Sequence, residues 1–465
     1  MNKKYRISIR GLIVAIFLLI VFAGGEIVKQ RAFSYGYNQQ QDYRYSFTTG
    51  NSTIIETKLE NNQLDLSGLH CGYGTVFVEL GIQATLSSFW KEPEVKMIAG
   101  SDTLFQNFEC RAKGIRYLNI SGLSSEKSQR IHLSFSGCKP VGQSVKLIAC
   151  PYPELQKERI LILAPHPDDA EISAYGLYAS YPENTFIATI TAGDAGSMRY
   201  DELYSDSVQH FIQKGKVRVW NSLTVPQLGG IAPEHAINLG YFDASLAQMH
   251  ADTTAHGFSR YIKTDDIHLF RSANCPDLPG SLQPSSTWCS LVNDMKNLLK
   301  KVQPTAIVTV YPVLDYHLDH KFTTVAMLQA MQEMKYDQCQ LWLYTNHYPM
   351  TKMYPDGKIG STITVPPYFE NAPIYFDQLL SVPLSKAQQG DKALALDAMN
   401  DLRPDTQYRN TKASWEQTKQ NFWDKLYLKE SDYFRRSVRS NELFFVIEGK
   451  NALQPDIQSK ILREL

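Results

Sequence analysis

The sequence lacks an excess of charge of either sign. Its 47 lysines and arginines balance its 47 aspartates and glutamates, so the formal net charge at pH 7 is zero. Proteins that bind nucleic acid usually carry a basic face or stripe. This composition gives no sign of one, and we expect no nucleic-acid partner. What the chain does have is length, because 465 residues suffice for two or more domains, each with a sizeable core.

Cysteine is scarce, with seven among 465 residues, and no two are spaced as Cys-x-x-Cys. A structural zinc ribbon, which is built from such pairs, is therefore not expected. In an oxidising compartment several of the seven could still form disulfides. Connectivity cannot be read from sequence, so we take Cys138 with Cys150 and Cys275 with Cys289 as trial pairs.

A long hydrophobic run is also missing. The strongly apolar part near the N-terminus, residues 12–23, is shorter than the about 20 residues that span a bilayer. A basic flank precedes it, formed by Lys3, Lys4, Arg6 and Arg10. This pattern favours an export signal within residues 1–30, or an uncleaved inner-membrane anchor over residues 11–25. In either case we expect a periplasmic or otherwise extracytoplasmic protein, with membrane contact through this segment alone.

Two regions of different composition follow. Residues 31–50 are polar and rich in Gln, Tyr and Ser, which predicts a tether. Residues 51–150 contain short runs of β-branched and aromatic residues, separated by Gly and Asn turns and without a long helical period. This pattern predicts an antiparallel β-sandwich of about 100 residues. Its predicted strands are 52–59, 75–86, 94–98, 115–121, 130–136 and 144–150.

Aromatic residues give this first domain a possible binding role. β-sandwiches often bind carbohydrate, and Tyr73, Phe89 and Trp90 could stack on sugar rings. The ordinary alternative is that these rings pack the core of the domain. We find no catalytic constellation in the region, so any function there would be binding.

The rest of the chain is organised around a short stretch that begins at Ile160. The apolar run 160–164 predicts a buried strand of a parallel sheet. His166, Asp168 and Asp169 come directly after it, and in an open α/β sheet ligands bind where the strands end. A solvated acidic turn would look similar, so this tetrapeptide by itself is a modest signal.

A second cluster of His and Asp strengthens the signal. It reads Asp-Tyr-His-Leu-Asp-His over residues 315–320 and follows another predicted strand, 306–311. Strands and helices alternate through this region, which is the signature of a doubly wound parallel sheet. The remaining predicted elements are helices 171–180, 201–216, 288–302 (capped by Ser285 or Ser286), 386–399 and 415–426, and strands 185–191, 341–347, 361–365 and 442–447. Residues 250–284 lack periodicity, and we interpret them as an insertion that walls one side of a cleft.

These motifs resemble those of a known family. His-Pro-Asp-Asp-x-Glu at 166–171 and His-x-Asp-His at 317–320, with Thr-Ala-Gly-Asp-Ala-Gly at 191–196 between them, are similar to the zinc-dependent N-acetylglucosaminyl deacetylases of the PIG-L/LmbE superfamily. The resemblance covers roughly residues 158–346. It implies a Rossmann-like, doubly wound, mainly parallel sheet for the domain at 151–465, with a C-terminal extension.

The resemblance also implies a metal site. His166, Asp169 and His320 would be the ligands of a Zn²⁺ ion, a permissible set that leaves one position open for water. Asp168, one residue from a ligand, would then act as general base. Glu171 would be a first-turn charge that is favourable near the positive end of its helix.

Four further residues receive roles in the same way. His317 would stabilise the oxyanion as a cation or protonate the leaving amine, and Asp319 would orient a histidine. Arg218 and Asp243 would contact the sugar, because a guanidinium and a carboxylate can each bind adjacent hydroxyls. The alternative for either of the last two is an ordinary surface ion pair.

We therefore expect a metal-dependent hydrolase that removes the N-acetyl group from an amino sugar of the GlcNAc type in an exported glycan or glycolipid. Two alternatives remain open. One is a non-catalytic, exported carbohydrate-binding protein that has kept the fold, against which the presence of both full motifs argues. The other is a metal-dependent amidase that acts on a non-sugar amide, which nothing in the sequence strongly excludes.

Overall fold

The computed structural model describes residues 9–33, 35–47, 52–69, 73–89, 91–123, 129–196, 200, 203–274, 285–370, 374–399 and 433–463. The first element is helix α1, Ile9–Phe33, whose apolar side chains between Leu12 and Phe22 are largely exposed. Within the described residues, no helix combines the length and the apolar character needed to cross a bilayer. Export and membrane anchoring therefore stay predictions.

The first domain is an antiparallel sheet, in which the described residues form eight strands in the order β5-β4-β7-β2-β1-β8-β3-β6. The strands are β1 Thr53–Glu60, β2 Gln63–Asp65, β3 Tyr73–Ala84, β4 Glu94–Ala99, β5 Asp102–Asn107, β6 Lys113–Asn119, β7 Arg130–Ser136 and β8 Cys138–Pro151. The sequence pattern predicts six of these strands. Strands β2 and β5 were missed because each follows a tight two-residue turn directly after the previous strand.

The two layers expected of a sandwich are here one continuous sheet. Strand β1 pairs with β8 over its first six residues and with β2 through Leu59 and Glu60, so a single strand belongs to both halves. Both halves contribute to one hydrophobic cluster, with Val78 and Leu147 on one side and Met97 and Leu133 on the other. The sheet is therefore curled over its own core, and the antiparallel β-domain is present in this modified form.

One trial disulfide is wrong. Cys138 and Cys150 are both free thiols and stand at opposite ends of the same strand, β8. Because a strand rises about 3.3 Å per residue, the two are far beyond the about 7 Å between Cα atoms that a disulfide can bridge. The other trial pair depends on Cys275, which lies outside the described residues.

The second domain is built on a sheet whose described strands follow the order β11-β10-β9-β12-β13-β15-β14. Strands β9 to β13 are mutually parallel. At one edge β15 pairs antiparallel with both β13 and β14, so β15 alone runs in the opposite direction among the described strands. The strands are β9 Ile160–Ala164, β10 Thr185–Thr191, β11 Ala236–Tyr241, β12 Ala306–Val310, β13 Gln340–Tyr344, β14 Gln378–Pro383 and β15 Asn441–Glu448. The α/β domain expected from the sequence is confirmed.

Helices cover both faces of this sheet. Alternate residues of β9 belong to different hydrophobic clusters, with Leu161 and Leu163 in one and Ile160 and Ile162 in the other. The helices are α2 Asp169–Ser180, α3 Ser207–Thr224, α4 Leu246–Ala251, α5 His268–Arg271, α6 Trp288–Val302, α7 Leu318–Met334, α8 Lys386–Asp397, α9 Tyr433–Ser437, α10 Gly449–Ala452 and α11 Pro455–Leu462. Helices α6 and α7 pack on the first face, and α2 and α8 pack on the second.

Some predictions for this domain need correction. Helix α6 is capped by Thr287, whose side chain accepts a hydrogen bond from Ser290 N, and not by Ser285 or Ser286. Residues 361–365 do not form a strand, because their backbone bonds go singly to other segments, as from Thr362 N to Phe105 O at 2.8 Å. The predicted helix 415–426 lies outside the described residues.

Residues 35–47, predicted as part of a tether, lie packed against both domains. Arg116 of β6 donates to the carbonyl oxygens of Gln39 and Gln41 at 2.7 and 2.8 Å, while Arg44 N donates to Tyr368 O of the second domain at 2.7 Å. Tyr43 is buried within the core. The aromatic residues of this segment explain the packing, since a polar tether without them would have no apolar surface to bury.

Candidate metal centre

The site lies where strands β9 and β12 end. These two strands are parallel neighbours, with Ile160 opposite Ala306, so their carboxyl ends meet at one edge of the sheet. The chain order reverses at this point, because β10 and β11 lie to one side of β9 and β12 and β13 to the other. Such a switch point leaves a crevice outside the strand ends. The residues after β9 and after β12 therefore face each other, as the sequence predicts.

Three electron-pair donors converge there. His166 Nδ1 lies 3.1 Å from His320 Nε2 and 3.3 Å from Asp169 Oδ2, and the last two atoms are 3.2 Å apart. All three side chains are buried. These are the predicted zinc ligands, and the structure brings them together as a triangle of nearly equal sides.

Carboxylates behind the histidines fix which nitrogen faces the centre. His320 Nδ1 is 3.1 Å from Asp315 Oδ2, and His166 Nε2 is 3.4 Å from Asp319 Oδ2. A carboxylate only accepts hydrogen bonds, so each of these nitrogens carries a proton, and in the neutral ring the opposite nitrogen keeps a lone pair for a metal. Asp319 is held in turn by the backbone N–H of Ala244 at 2.6 Å. Its predicted orienting role matches this geometry.

The triangle fits a zinc ion. Zn²⁺ bonds to His nitrogen and carboxylate oxygen are about 2.0–2.2 Å, and in a tetrahedron this places neighbouring ligand atoms about 3.3–3.5 Å apart. The three measured separations of 3.1–3.3 Å are close to that value. Two neutral imidazoles and one carboxylate also form a donor set that zinc accepts. Other groups of three at this site could hold an ion as well, among them His166 with His317 and His320, and Asp169 with His320 and His347.

Asp168 lies at the lip of the triangle in a strained backbone conformation. Its φ of +126° is uncommon for a residue other than glycine, and such strain clusters at functional sites. Arg218 Nη2 donates to Pro167 O at 2.9 Å and lies 3.4 Å from Asp168 Oδ1, so it braces the loop. Burial raises the pKa of Asp168 to about 7, against the opposing effect of Arg218. A pKa near the working pH suits a general base.

Glycine is required where Arg218 reaches this loop. Gly193 has a φ of +63°, and a Cβ there would stand 2.3 Å from Arg218 Nε. The Thr-Ala-Gly-Asp-Ala-Gly motif therefore makes room for the arginine. The predicted contact of Arg218 with a sugar stays a prediction. The structure shows that Arg218 contacts the loop that carries Asp168.

His317 lies beside His166 and His320, with ring centroids 4.7 and 4.9 Å away. Burial and the neighbouring imidazoles His166 and His320 lower the pKa of His317 to about 4, so the ring is neutral at pH 7. This disfavours the predicted resting cation and leaves a neutral N–H donor. Its Nδ1 is buried and has no hydrogen-bond partner among the described residues.

Asp243 follows β11 and lies beside Asp319 on the Nε2 side of His166. Its Oδ1 lies 3.3 Å from His166 Nε2, and its backbone N–H donates to Asp194 at 2.9 Å. Asp194 also accepts from the Ser259 hydroxyl at 2.6 Å, so the described part of the irregular segment 250–284 is tied to the site. This contact agrees with the prediction that the segment walls the cleft, and the sugar contact of Asp243 stays a prediction.

Glu171 differs from the expectation of a charge at the helix start. Its side chain is buried, and burial raises its pKa to about 8, so the carboxyl is largely protonated at pH 7 and cannot act as a helix-dipole charge.

Helix α2, which begins at the metal site, is kinked at Ala174. Glu442 accepts the freed N–H groups of Gly176 and Leu177 at 2.8 and 2.9 Å. The helix that begins at Asp169 is thus held by a residue of the C-terminal region.

Two residues of the site, Asp315 and Asn346, were missed, while the predicted strand 341–347 left a pocket role open for His347. Asp315 orients His320, Asn346 donates to Asp169 Oδ1 at 2.7 Å, and His347 has its ring 4.9 Å from that of His320. Asp315 lies inside the quoted motif, so its spacing before His320 could have identified it. Asn346 and His347 follow β13, and only the neighbouring position of that strand places them here.

Comparison with known proteins supports part of this picture. The family described as PIG-L, GlcNAc-PI de-N-acetylase, matches residues 161–331, well under half of the chain. No curated protein matches. The chain is similar to the solved structure of the A40926 pseudoaglycone deacetylase Dbv21, with 15% identity over 63% of this chain and 98% of that chain and a TM-score of 0.32. It is also similar to teicoplanin deacetylase Orf2 in a zinc-inhibited form, with 15% identity over 52% of this chain and 83% of that chain and a TM-score of 0.30. A third similar structure is the conserved protein TT1542 from Thermus thermophilus, with 16% identity over 62% of this chain and 93% of that chain and a TM-score of 0.28.

The structural likenesses have TM-scores of 0.28–0.32 and carry no argument about activity. The family match carries the assignment, because it covers the segment that holds both motifs, from β9 to helix α7. The resemblance inferred from the sequence is thus confirmed, and the family match supports a deacetylating enzyme. Residues 161–331 of this chain match the family described as PIG-L, GlcNAc-PI de-N-acetylase.

Proposed function

We propose that this protein is a zinc-dependent hydrolase that removes the N-acetyl group from an amino sugar of the GlcNAc type. The substrate is an exported glycan or glycolipid. The family match supports deacetylation, and the basic flank followed by the apolar run near the N-terminus supports export. Membrane contact, if the segment is retained, is limited to residues 11–25.

One observation carries the metal dependence. His166 Nδ1 and His320 Nε2 lie 3.1 Å apart, and Asp169 Oδ2 lies beside both. Such an arrangement repels itself unless a proton or a metal cation lies between the donors. A zinc ion held by these three side chains would supply a Lewis acid for the amide carbonyl and an acidified water.

The remaining residues of the site would transfer protons, donate a hydrogen bond and position the two histidines. Asp168 accepts a proton from the attacking water and returns it to the nitrogen of the amide as the C–N bond breaks. Acetate and a free amine are the products. Neutral His317 donates its N–H to the oxygen on which negative charge develops, which is where a preorganised donor lowers the barrier most. Asp315 and Asp319 hold the two histidines in the required tautomers.

The experiment is acetate release by the purified full chain from a panel of N-acetylated glycans, glycolipids and non-sugar acetamides. We expect release from GlcNAc-containing members, loss with a chelator and recovery with added zinc. Release from non-sugar amides alone would favour the amidase alternative. Binding of glycans without release from any member would favour the carbohydrate-binding alternative.

A further inference from the structure

Tyr433, the first residue of helix α9, has a buried hydroxyl with no hydrogen-bond partner among the described residues. Nearly all buried polar groups in proteins are paired, because an unpaired one loses its bonds to water and gains nothing in return. An unpaired hydroxyl next to an active site is therefore a sign of a partner that arrives with the substrate.

Packing places Tyr433 near the metal centre, behind His347. Helix α9 packs against α2, the helix that begins at Asp169. The ring of Tyr433 lies nearly parallel to that of His347, with an angle of 17° and centroids 6.4 Å apart. The ring of His347 is in turn 4.9 Å from His320 and 5.9 Å from His317. Tyr433 thus reaches the site from the side of His347.

The charges around the hydroxyl fix its role as a donor. Burial raises the pKa of Tyr433 well above 10, and four carboxylates add to the effect. They are Asp356, Asp168, Asp169 and Asp315. The last three belong to the metal site, which agrees with the packing. A hydroxyl in this field keeps its proton, so it can donate a hydrogen bond to a substrate oxygen.

We propose that the Tyr433 hydroxyl donates a hydrogen bond to the carbonyl oxygen of the acetyl group, beside the donor His317. This inference rests on the proposed deacetylase function. It assigns a substrate contact to a residue that lies outside residues 161–331, the segment that the family match covers. The oxyanion would then have two side-chain donors, of which one comes from the C-terminal region.

The test is the substitution Tyr433→Phe in the full chain, measured on the best substrate of the panel. We expect kcat to fall at least about tenfold, towards the roughly 10²–10³ that loss of one oxyanion donor costs. KM should change less than about threefold, because the bond strengthens as charge develops. Zinc content should stay the same. The melting temperature should stay the same or rise, since the change removes a buried hydroxyl that has no partner among the described residues.

Tyr336→Phe is the matched control. Its hydroxyl donates to Pro304 O at 2.8 Å, so the loss of that bond should lower the melting temperature and leave kcat unchanged. Two results for Tyr433→Phe would overturn the inference. One is an unchanged kcat, and the other is a raised KM with unchanged kcat, which would place the hydroxyl on a part of the substrate that does not react.

The two proposals fail in different ways. If the natural chain releases acetate and Tyr433→Phe does so equally well, the contact is wrong and the deacetylase function stands. If the natural chain with zinc releases no acetate from any member of the panel, both proposals are overturned together.

Discussion

The two sheets of this protein use their strands differently. In the first sheet all described neighbours are antiparallel, so the ends of adjacent strands point in opposite directions. Its strands alternate between core and surface, as β7 does with Ile131 and Leu133 buried and His132 exposed. In the second sheet β9 to β13 are parallel, and β9 and β12 are buried along their whole length.

This difference explains which of the two sheets can form a catalytic site. Parallel strands bring all their carboxyl ends to one edge, so polar residues that follow separate strands meet there. Antiparallel strands scatter their ends over two edges, and the described residues of the first domain show no cluster of metal-ligating side chains. Tyr73, one of the aromatic residues considered for sugar binding, packs against the core of that domain. The first sheet is expected to contribute stability, and the second activity.

The largest effect expected of this contrast is on metal binding. His320→Ala removes one corner of the donor triangle, so zinc content should fall from one ion per chain to near zero and acetate release should stop. His132→Ala is the matched control, because His132 is exposed on strand β7 and its loss should change neither quantity. Metal analysis of the two purified variants makes the comparison. Zinc content unaltered in His320→Ala would show that the ligand set is wrong.

The second-largest effect is expected on kcat, and it distinguishes the general base Asp168 from the metal ligands. Asp168→Asn keeps the size of the side chain and a residue type that tolerates positive φ, but it removes the carboxylate. We expect kcat to fall by about 10²–10⁴ with zinc retained. Asp65→Asn, at an exposed site of the first sheet, should leave kcat unchanged. A substantially active Asp168→Asn protein would remove the general-base assignment.

A smaller effect, on zinc affinity, is expected from a carboxylate that orients a ligand. Asp315→Asn weakens the hold on His320 Nδ1, and loss of such an orienting carboxylate typically lowers metal affinity about 10- to 100-fold. Zinc affinity measured by competition with a chelator should show this change, with Asp102→Asn on strand β5 as control. Equal affinities would mean that the backbone alone positions His320.

The smallest effect on activity is expected in the first sheet. Leu133→Ala opens a cavity in a core position that is 0% exposed, and should lower the free energy of unfolding of that domain by about 2–5 kcal/mol. Leu86→Ala, at a position 78% exposed, should have little effect on stability. Denaturant unfolding and acetate release of both variants would be compared. A kcat of folded Leu133→Ala far below that of the natural chain would show that the first sheet takes part in the reaction.

Much of the second domain could be predicted because its strands are short, continuous apolar runs. Strands β9 and β10 have the predicted bounds, helix α6 is present with a later start than its predicted cap implied, and the two His and Asp clusters lie where the strand ends place them. Strand β14, Gln378–Pro383, was missed because it contains a serine and ends at a proline. Tyr433 was missed for a different reason, since a tyrosine at the start of a short helix carries no pattern.

The sequence by itself determined which residues could bind zinc, because ligand chemistry and spacing are properties of a local peptide. It also determined that β9 and β12 are buried strands, since their hydrophobicity is continuous. Only the tertiary structure decided that Asp315, Asn346, His347 and Tyr433 join the site. Their positions depend on strand order and on helix packing, which arise from contacts between residues far apart in the chain.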